Sequence, residues 1–178
     1  MKVKIFLSFF CLGFSILSYS QEKINQLDKD GKNDGRWLVR LDDHWLIPKD
    51  TDKAVYCRYN FFDHGLNLNP MGAGGGKGWK CISTVNSTQY IGKMKLLDGE
   101  YKWYDKKGRL IFIHVLKNGE YVSYKEFYKS GELHEYFDYT KHQGQPHSYY
   151  IYLYDKKGKV KYEFNAYGGN GLDNKIKK

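Results

Sequence analysis

The sequence has few cysteines and no apolar run long enough to cross a bilayer. Only 3 cysteines occur among the 178 residues. The longest apolar run, Ile5 to Leu17, is shorter than the roughly 20 residues that a membrane-spanning helix requires. Lysines precede this run and Ser18-Tyr19-Ser20 follows it, which is the pattern of a secretion signal. We therefore expect residues 1–20 to be a cleaved signal peptide, and a periplasmic or secreted mature chain without a transmembrane segment.

The sequence also lacks the motifs of common catalytic and nucleotide-binding sites. It has no Gly-x-Ser-x-Gly element. The glycine-rich segment 71–78 resembles the end of a phosphate-binding loop, but Met71 stands where that motif needs glycine, and Gly78 where it needs serine or threonine. We therefore predict no nucleotide, no other cofactor and no enzymatic activity. Segment 71–78 is interpreted either as a flexible lid or partner-contact loop, or as an inert linker.

The histidines do not form a recognisable metal motif. His142 and His147 flank a proline, but no third ligand accompanies them at a suitable spacing. We therefore predict no metal site. A hydrolase on a β scaffold is the last-ranked alternative, because it would require Asp43, His44 and His64 to converge in a cleft.

Aromatic residues dominate the apolar content, and aliphatic residues are sparse. The chain contains 17 tyrosines, 10 phenylalanines and 4 tryptophans. Tyrosine suits a half-buried sheet face, because its ring packs against neighbours while its hydroxyl stays in water. This composition favours a thin, extended sheet over a thick globular core.

Short aromatic strands separated by glycine turns recur between Leu97 and Phe164. Tyr-Asp-Lys-Lys-Gly occurs at Tyr104 and again at Tyr154, and a looser copy begins at Phe127. Aromatic and polar residues alternate with the two-residue period of a strand, and glycine supplies the positive φ of a hairpin turn. We predict an all-β single domain built as an extended, partly curled antiparallel sheet of repeated β-hairpins.

The expected organisation divides the chain after the signal peptide into three regions. Residues 21–96 are interpreted as an irregular N-terminal β region that includes the glycine-rich loop. Residues 97–166 contain the hairpin repeats. Residues 167–178 are interpreted as a flexible basic tail. The sequence leaves open whether residues 33–96 belong to the repeat array.

Several segments carry a common pattern of glycine followed by aromatic residues. They are Asp34-Gly35-Arg36-Trp37, Asp98-Gly99-Glu100-Tyr101-Lys102-Trp103-Tyr104, Asn118-Gly119-Glu120-Tyr121 and the two Tyr-Asp-Lys-Lys-Gly turns. These segments resemble the MORN-repeat variant family, the antitoxin-like hairpin-repeat proteins of the YwqK type in bacteria. The resemblance implies an elongated, twisted antiparallel sheet with a binding or scaffolding role and no catalytic residues.

An exposed aromatic face is the first candidate binding surface. Contiguous exposed aromatic residues mark contacts with other proteins, so we expect a non-catalytic binding or scaffold protein whose partner is another protein. The candidate residues are Tyr101, Trp103, Tyr121, Tyr124, Tyr150 and Tyr152.

Lysine pairs at equivalent turn positions form the second candidate surface. Lys106 and Lys107 correspond to Lys156 and Lys157, and the whole chain has a formal net charge of +9. Lysines in hairpin turns commonly serve solubility and discourage edge pairing. They also suit a positive stripe that binds an anionic glycan or a lipid surface, which is the alternative function. Nucleic acid is not an expected partner of an exported protein.

Signal cleavage would leave two cysteines, Cys57 and Cys81. An even number of cysteines in an exported chain favours a disulfide. The bond would close the glycine-rich loop at its base, and the alternative is two buried free thiols.

Overall fold

Two β-sheets account for nearly all regular structure in the part of the chain that the structure describes. The computed structural model describes residues 23–68, 76, 78–84, 88–141, 148–167 and 176–177. The strands are β1 (Gln26–Leu27), β2 (Asn33–Leu41), β3 (Tyr56–Asp63), β4 (Leu66–Asn67), β5 (Lys80–Ser83), β6 (Tyr90–Ile91), β7 (Met94–Leu96), β8 (Gly99–Tyr104), β9 (Leu110–Lys117), β10 (Glu120–Phe127), β11 (Leu133–Asp138), β12 (Ser148–Tyr154), β13 (Val160–Tyr167) and β14 (Ile176–Lys177). One 3-10 turn spans Thr51–Lys53. The predicted all-β class is confirmed.

The smaller, first sheet has the order β1-β2-β3-β7-β6, with β4 paired to β3. β7 runs parallel to β3, and the other pairs are antiparallel. The larger, second sheet has the order β14-β13-β12-β11-β10-β9-β8-β5 and is antiparallel throughout. Strand β5 precedes the predicted repeat region, and β14 lies within the predicted tail. No helix in the described ranges is long and apolar enough to cross a membrane.

The repeated five-residue turns are built by one set of hydrogen bonds. In the turn after β8, the N–H of Gly108 donates to the carbonyl of Asp105 (3.0 Å), and the N–H of Lys107 donates to the Asp105 carboxylate (2.8 Å). The turn after β12 has the same two bonds from Gly158 and Lys157 to Asp155 (2.9 and 2.8 Å). Gly108 and Gly158 have φ of +74° and +77°, so the predicted hairpin turns are confirmed.

The same turn also joins β1 to β2, far from the repeat region. The N–H of Gly31 donates to the carbonyl of Asp28 (3.1 Å), and the N–H of Asp30 donates to the Asp28 carboxylate (2.9 Å). Gly31 has φ of +75°. The repeated hairpin therefore occurs in the N-terminal region as well, although its strands belong to the other sheet.

One face of the second sheet, called here the inner face, carries the core. Side chains directly opposite each other on paired strands share a face, so the aligned residues Tyr101, His114, Tyr124, Phe137, Ile151 and Phe164 form one row across the sheet. Leu41, Trp45 and Leu97, which come from or beside the first sheet, belong to the same buried cluster. The first sheet and its loops therefore cover part of the inner face.

This cover contradicts the expected exposure of three aromatic candidates. Tyr101, Trp103 and Tyr121 are 3%, 1% and 6% exposed. The expectation of an exposed face is wrong for these residues, because Trp45 packs against Tyr101 and Trp103 with ring centroids 4.7 and 5.6 Å apart. A loop from the N-terminal region thus occupies the face that the sequence pattern alone leaves open.

The predicted Cys57–Cys81 disulfide is also wrong. Both cysteines are free thiols. Cys57 lies in β3 of the first sheet, whereas Cys81 lies in β5 at the edge of the second sheet. Burial raises the pKa of Cys57 to about 11 and that of Cys81 to about 12, so both thiols stay protonated at neutral pH.

Gly119 joins the two sheets at the turn between β9 and β10. Its carbonyl accepts the N–H of Tyr59 at 2.8 Å, and its φ is +78°. A Cβ at this position would lie 2.6 Å from Leu96 Cδ1 and 3.0 Å from Tyr59 Cδ2. The backbone conformation and the close approach of β3 and β7 both require glycine here.

We expect Gly119→Ala to lower the free energy of unfolding by about 2–4 kcal/mol, since it adds overpacking to the cost of a positive φ. Gly158→Ala is the matched control. Its φ is +77°, but a Cβ added there would have no other atom within 4 Å, so we expect a loss of only about 1 kcal/mol. Urea denaturation of both variants measures the difference, and equal losses would contradict the steric role of Gly119.

Candidate functional site

Three hairpin turns of the second sheet lie at one end of the sheet. Strands β8 to β13 follow one another in space and are antiparallel, so the turns after β8, β10 and β12 share an end, whereas the turn after β9 lies at the other. Neighbouring strands are about 4.8 Å apart, which places successive turns of this end about 10 Å apart. We call residues 105–109, 128–132 and 155–159 the basic edge.

The basic edge brings together all four lysines that the sequence singled out. Lys106, Lys107, Lys156 and Lys157 are exposed, and exposed Lys129 lies in the turn between theirs. The second and third turns contact each other: Lys156 Nζ lies 5.8 Å from the centre of the Tyr128 ring, and the Tyr128 hydroxyl donates to the carbonyl of Tyr154 (2.9 Å). The first and second turns line one cavity together. The lysine turns therefore form a continuous surface.

The aspartates of the basic edge accept hydrogen bonds from within their own turns. Asp105 accepts backbone N–H groups and pairs with Arg109, whose Nε and Nη2 lie 2.8 and 2.6 Å from Oδ2. The backbone N–H of Arg109, followed by its guanidinium, lowers the pKa of Asp105. Backbone N–H groups likewise lower the pKa of Asp155. These anions stabilise the turns, and among the described residues none forms an ion pair with the four lysines.

A first cavity, of about 260 Å³, opens at the basic edge and is here called the apolar pocket. Its lining includes Trp79, Leu110, Ile111 and Phe127, with Arg109 and Lys129 from two of the turns. Sequence reasoning did not find it, because Trp79 precedes β5 and reaches the repeats only through the pairing of β5 with β8.

The remaining aromatic candidates lie on opposite faces of the sheet. Tyr124 is on the inner face, and its hydroxyl donates to Glu126 Oε2 at 2.7 Å. Tyr150 and Tyr152 are on the outer face, where Tyr152 stacks on Tyr136 with ring centroids 5.8 Å apart. Tyr150 and Tyr152 are also stacked, at 6.3 Å. The six predicted aromatic residues therefore do not form one surface.

A second cavity, of about 350 Å³, is here called the polar pocket. Asp43, His44, Trp79, Lys80, Cys81 and Trp103 are among its lining residues. His44 Nδ1 lies 2.7 Å from Asp43 Oδ1. His64 is elsewhere, with its Nδ1 2.9 Å from Asp28 Oδ2, which raises the pKa of His64. Asp43 and His44 thus line a cleft, but the third residue required for the hydrolase alternative does not join them.

Two surface groups have donor atoms close enough to share a metal ion. They are Asp34, Asp63 and His64, and Asp42, Asp43 and His44, with the donor atoms of each group within 4.8 Å of one another. Asp42 also caps its own turn, since it accepts the N–H groups of His44 and Leu46 at 2.9 Å. His142 and His147 lie outside the described residues, as do the predicted signal peptide and most of the glycine-rich segment 71–78.

The inner face also contains buried polar groups that sequence reasoning missed. His114 is 1% exposed, and burial, with the nearby Arg58 charge, lowers its pKa to about 3. Neither His114 ring nitrogen has a hydrogen-bond partner among the described residues, and the same holds for the hydroxyls of Tyr121 and Tyr139. The alternation of Phe112, His114 and Leu116 was the available signal, because it places the imidazole on the apolar face.

Comparisons with protein-family models, with curated proteins and with solved structures find no match to this chain. The resemblance to the MORN-repeat variant family therefore stays a prediction from the sequence.

Proposed function

We propose that this chain is an exported, non-catalytic binding protein whose basic edge holds anionic glycans or lipid surfaces. The observation that carries the proposal is the placement of Lys106, Lys107, Lys156 and Lys157 at one end of the sheet, with Lys129 between them. Asp105 and Asp155 are engaged within their own turns and form no ion pair with these lysines, which leaves the lysines available to an external anion.

The spacing of the turns suits an extended or repeating anion. Three turns about 10 Å apart span roughly 20 Å, which exceeds the size of a single small anion. Exposed lysines are screened by salt over about 10 Å at 0.1 M ionic strength. Binding through this edge is therefore expected to weaken steeply as salt increases, and to need several lysines acting together.

We expect replacement of Lys106, Lys107, Lys156 and Lys157 by glutamine to weaken binding to phosphatidylglycerol vesicles and to heparin by on the order of 100-fold or more. A lysine near an anionic surface contributes about 1 kcal/mol, so four of them account for a loss of this size. Vesicle co-sedimentation and calorimetry at 50 mM salt measure the two affinities.

The matched control removes the same charge elsewhere. Lys49, Lys53, Lys93 and Lys117 are exposed and lie outside the basic edge. Their replacement by glutamine should change either affinity by less than about tenfold, through long-range charge alone. Equal losses in the two variants would show that net charge, rather than the basic edge, determines binding.

A second candidate function is protein binding through the outer face. Tyr136, Tyr150 and Tyr152 stack there, and Lys141 Nζ lies 3.0 Å from the Tyr152 hydroxyl. Partly exposed tyrosines beside a cation are typical of protein contacts. If this candidate function is right, the double variant Tyr150→Ser, Tyr152→Ser should no longer bind a protein partner, whereas its anion binding should be unchanged.

A further inference from the structure

The polar pocket combines an aromatic floor with hydrogen-bonding groups at its mouth. Trp103 and Tyr101 are 1% and 3% exposed, whereas the side chains of Asp43 and His44 at the rim are 74% and 53% exposed. Asp43 supplies an acceptor and Lys80 a donor. A volume of about 350 Å³ is at the small end of ligand pockets and suits one or two rings.

Trp103, which lines the polar pocket, carries a side-chain donor that no described residue satisfies. Trp103 Nε1 is buried and has no hydrogen-bond partner among the described residues. A buried polar atom without a partner is rare and commonly marks a site for water or a ligand. With Lys80 as donor and Asp43 as acceptor, the pocket offers aromatic side chains together with hydrogen-bonding groups, the combination that hydroxylated sugar rings require.

The polar pocket adjoins the basic edge through Trp79, which lines both cavities. Lys80 pairs with Tyr104, the residue immediately before the turn that carries Lys106. A Cβ on Gly78 would lie 2.5 Å from Lys106 Cε, so the Lys106 side chain crosses the residue next to Trp79. One ligand can therefore reach the pocket and the lysines together.

We propose that the ligand of the basic edge is an acidic polysaccharide, one sugar ring of which enters the polar pocket while its acid groups contact the lysine turns. This inference rests on the proposed function and selects glycan over lipid. Trp79 supplies a stacking face, and Asp43 and Lys80 hydrogen-bond the ring hydroxyls.

The test compares the affinity of the protein for sugar polyanions with its affinity for a polyanion that contains no sugar. The probes are uronic-acid oligosaccharides with galacturonate, mannuronate or glucuronate–N-acetylglucosamine backbones, and poly-L-glutamate of equal charge, all titrated into the full chain at 50 mM salt. At least one oligosaccharide is expected to bind about tenfold or more tightly than polyglutamate, and to shift Trp79 emission, a shift that Trp79→Phe removes. Asp43→Asn should reduce the preference to about twofold or less. Asp52→Asn, at an exposed aspartate that is not among the lining residues of the pocket, should retain it.

The outcomes separate this inference from the proposed function. One outcome is that polyglutamate binds as tightly as every oligosaccharide while the four-lysine variant binds neither. In that case the proposed sugar site is wrong, but the basic edge is still the anion-binding surface. If Asp43→Asn leaves the preference intact, the polar pocket is not the sugar site. If neither class of polyanion binds the wild-type chain, the proposed function itself is wrong.

Discussion

Trp45→Ala is expected to lower the free energy of unfolding by about 3–5 kcal/mol, the range found for aromatic residues removed from a core. Trp45 is 1% exposed and lies 4.7 Å from the Tyr101 ring and 5.2 Å from the His114 ring, measured between centroids. Its removal would open a cavity between the two sheets. Urea denaturation followed by circular dichroism measures the loss.

The control for this prediction is Trp37→Ala. Trp37 is half-buried on the first sheet, and its ring meets that of Phe62 at 6.2 Å. Because less surface is buried there, we expect roughly half the loss or less. A Trp45→Ala loss no larger than that of Trp37→Ala would contradict the assignment of Trp45 as the core residue that covers the inner face of the second sheet.

The second large effect is a loss of stability in mild acid that depends on His114. The pKa of His114 is about 3 in the folded protein and near 6.5 in the unfolded chain. Between these two values the unfolded chain binds a proton at His114 and the folded protein does not. The contribution of His114 to stability therefore falls as pH decreases from about 6.5 towards 3, at about 1.4 kcal/mol per pH unit, or about 3 kcal/mol by pH 4. Denaturation midpoints between pH 7.5 and pH 4 measure this slope.

His114→Phe should flatten the slope between pH 6.5 and pH 4. The substitution also removes two ring nitrogens without partners, so stability at pH 7.5 should stay equal or increase. Asp105 and Asp155 in the turns have lowered pKa values, so their contribution to folding stability is lost only below about pH 4. The effect of His114 therefore occurs at higher pH than the effect of these carboxylates. A slope that persists in His114→Phe would contradict this account.

The hairpin turns could be predicted because their interactions are local. In Tyr-Asp-Lys-Lys-Gly the aspartate accepts N–H groups two and four residues later, and the glycine adopts the positive φ. Every group required lies within five residues, so the pattern is sufficient. The basic edge could be predicted from the same turns once the strands are placed in an antiparallel meander.

The faces of the sheet could not be predicted in the same way. Alternation shows that Tyr101 and Trp103 share a face, but not whether that face is covered. The residue that covers this face is Trp45, which is far from Tyr101 and Trp103 in the sequence and lies in a turn with φ of +62°. The same limit applies to Cys57 and Cys81: their even number says nothing about the sheets to which β3 and β5 belong.

The polar pocket was beyond sequence reasoning for a related reason. Asp43 and His44 follow β2, whereas Lys80 and Cys81 lie in β5. Only the packing of the first sheet against the second brings these segments together. Sequence analysis could name Asp43 and His44 as chemically capable residues, but it could not identify their neighbours.

The most direct test of the basic edge is to map where an anionic ligand contacts the protein. Backbone amide shifts of the ¹⁵N-labelled chain during titration with heparin at 50 mM salt report contacts residue by residue. We predict that the largest shifts lie in residues 105–109, 128–132 and 155–159, and that they disappear at 500 mM salt. Shifts concentrated in residues 117–120, at the opposite end of the sheet, or spread evenly over all exposed lysines, would contradict the account.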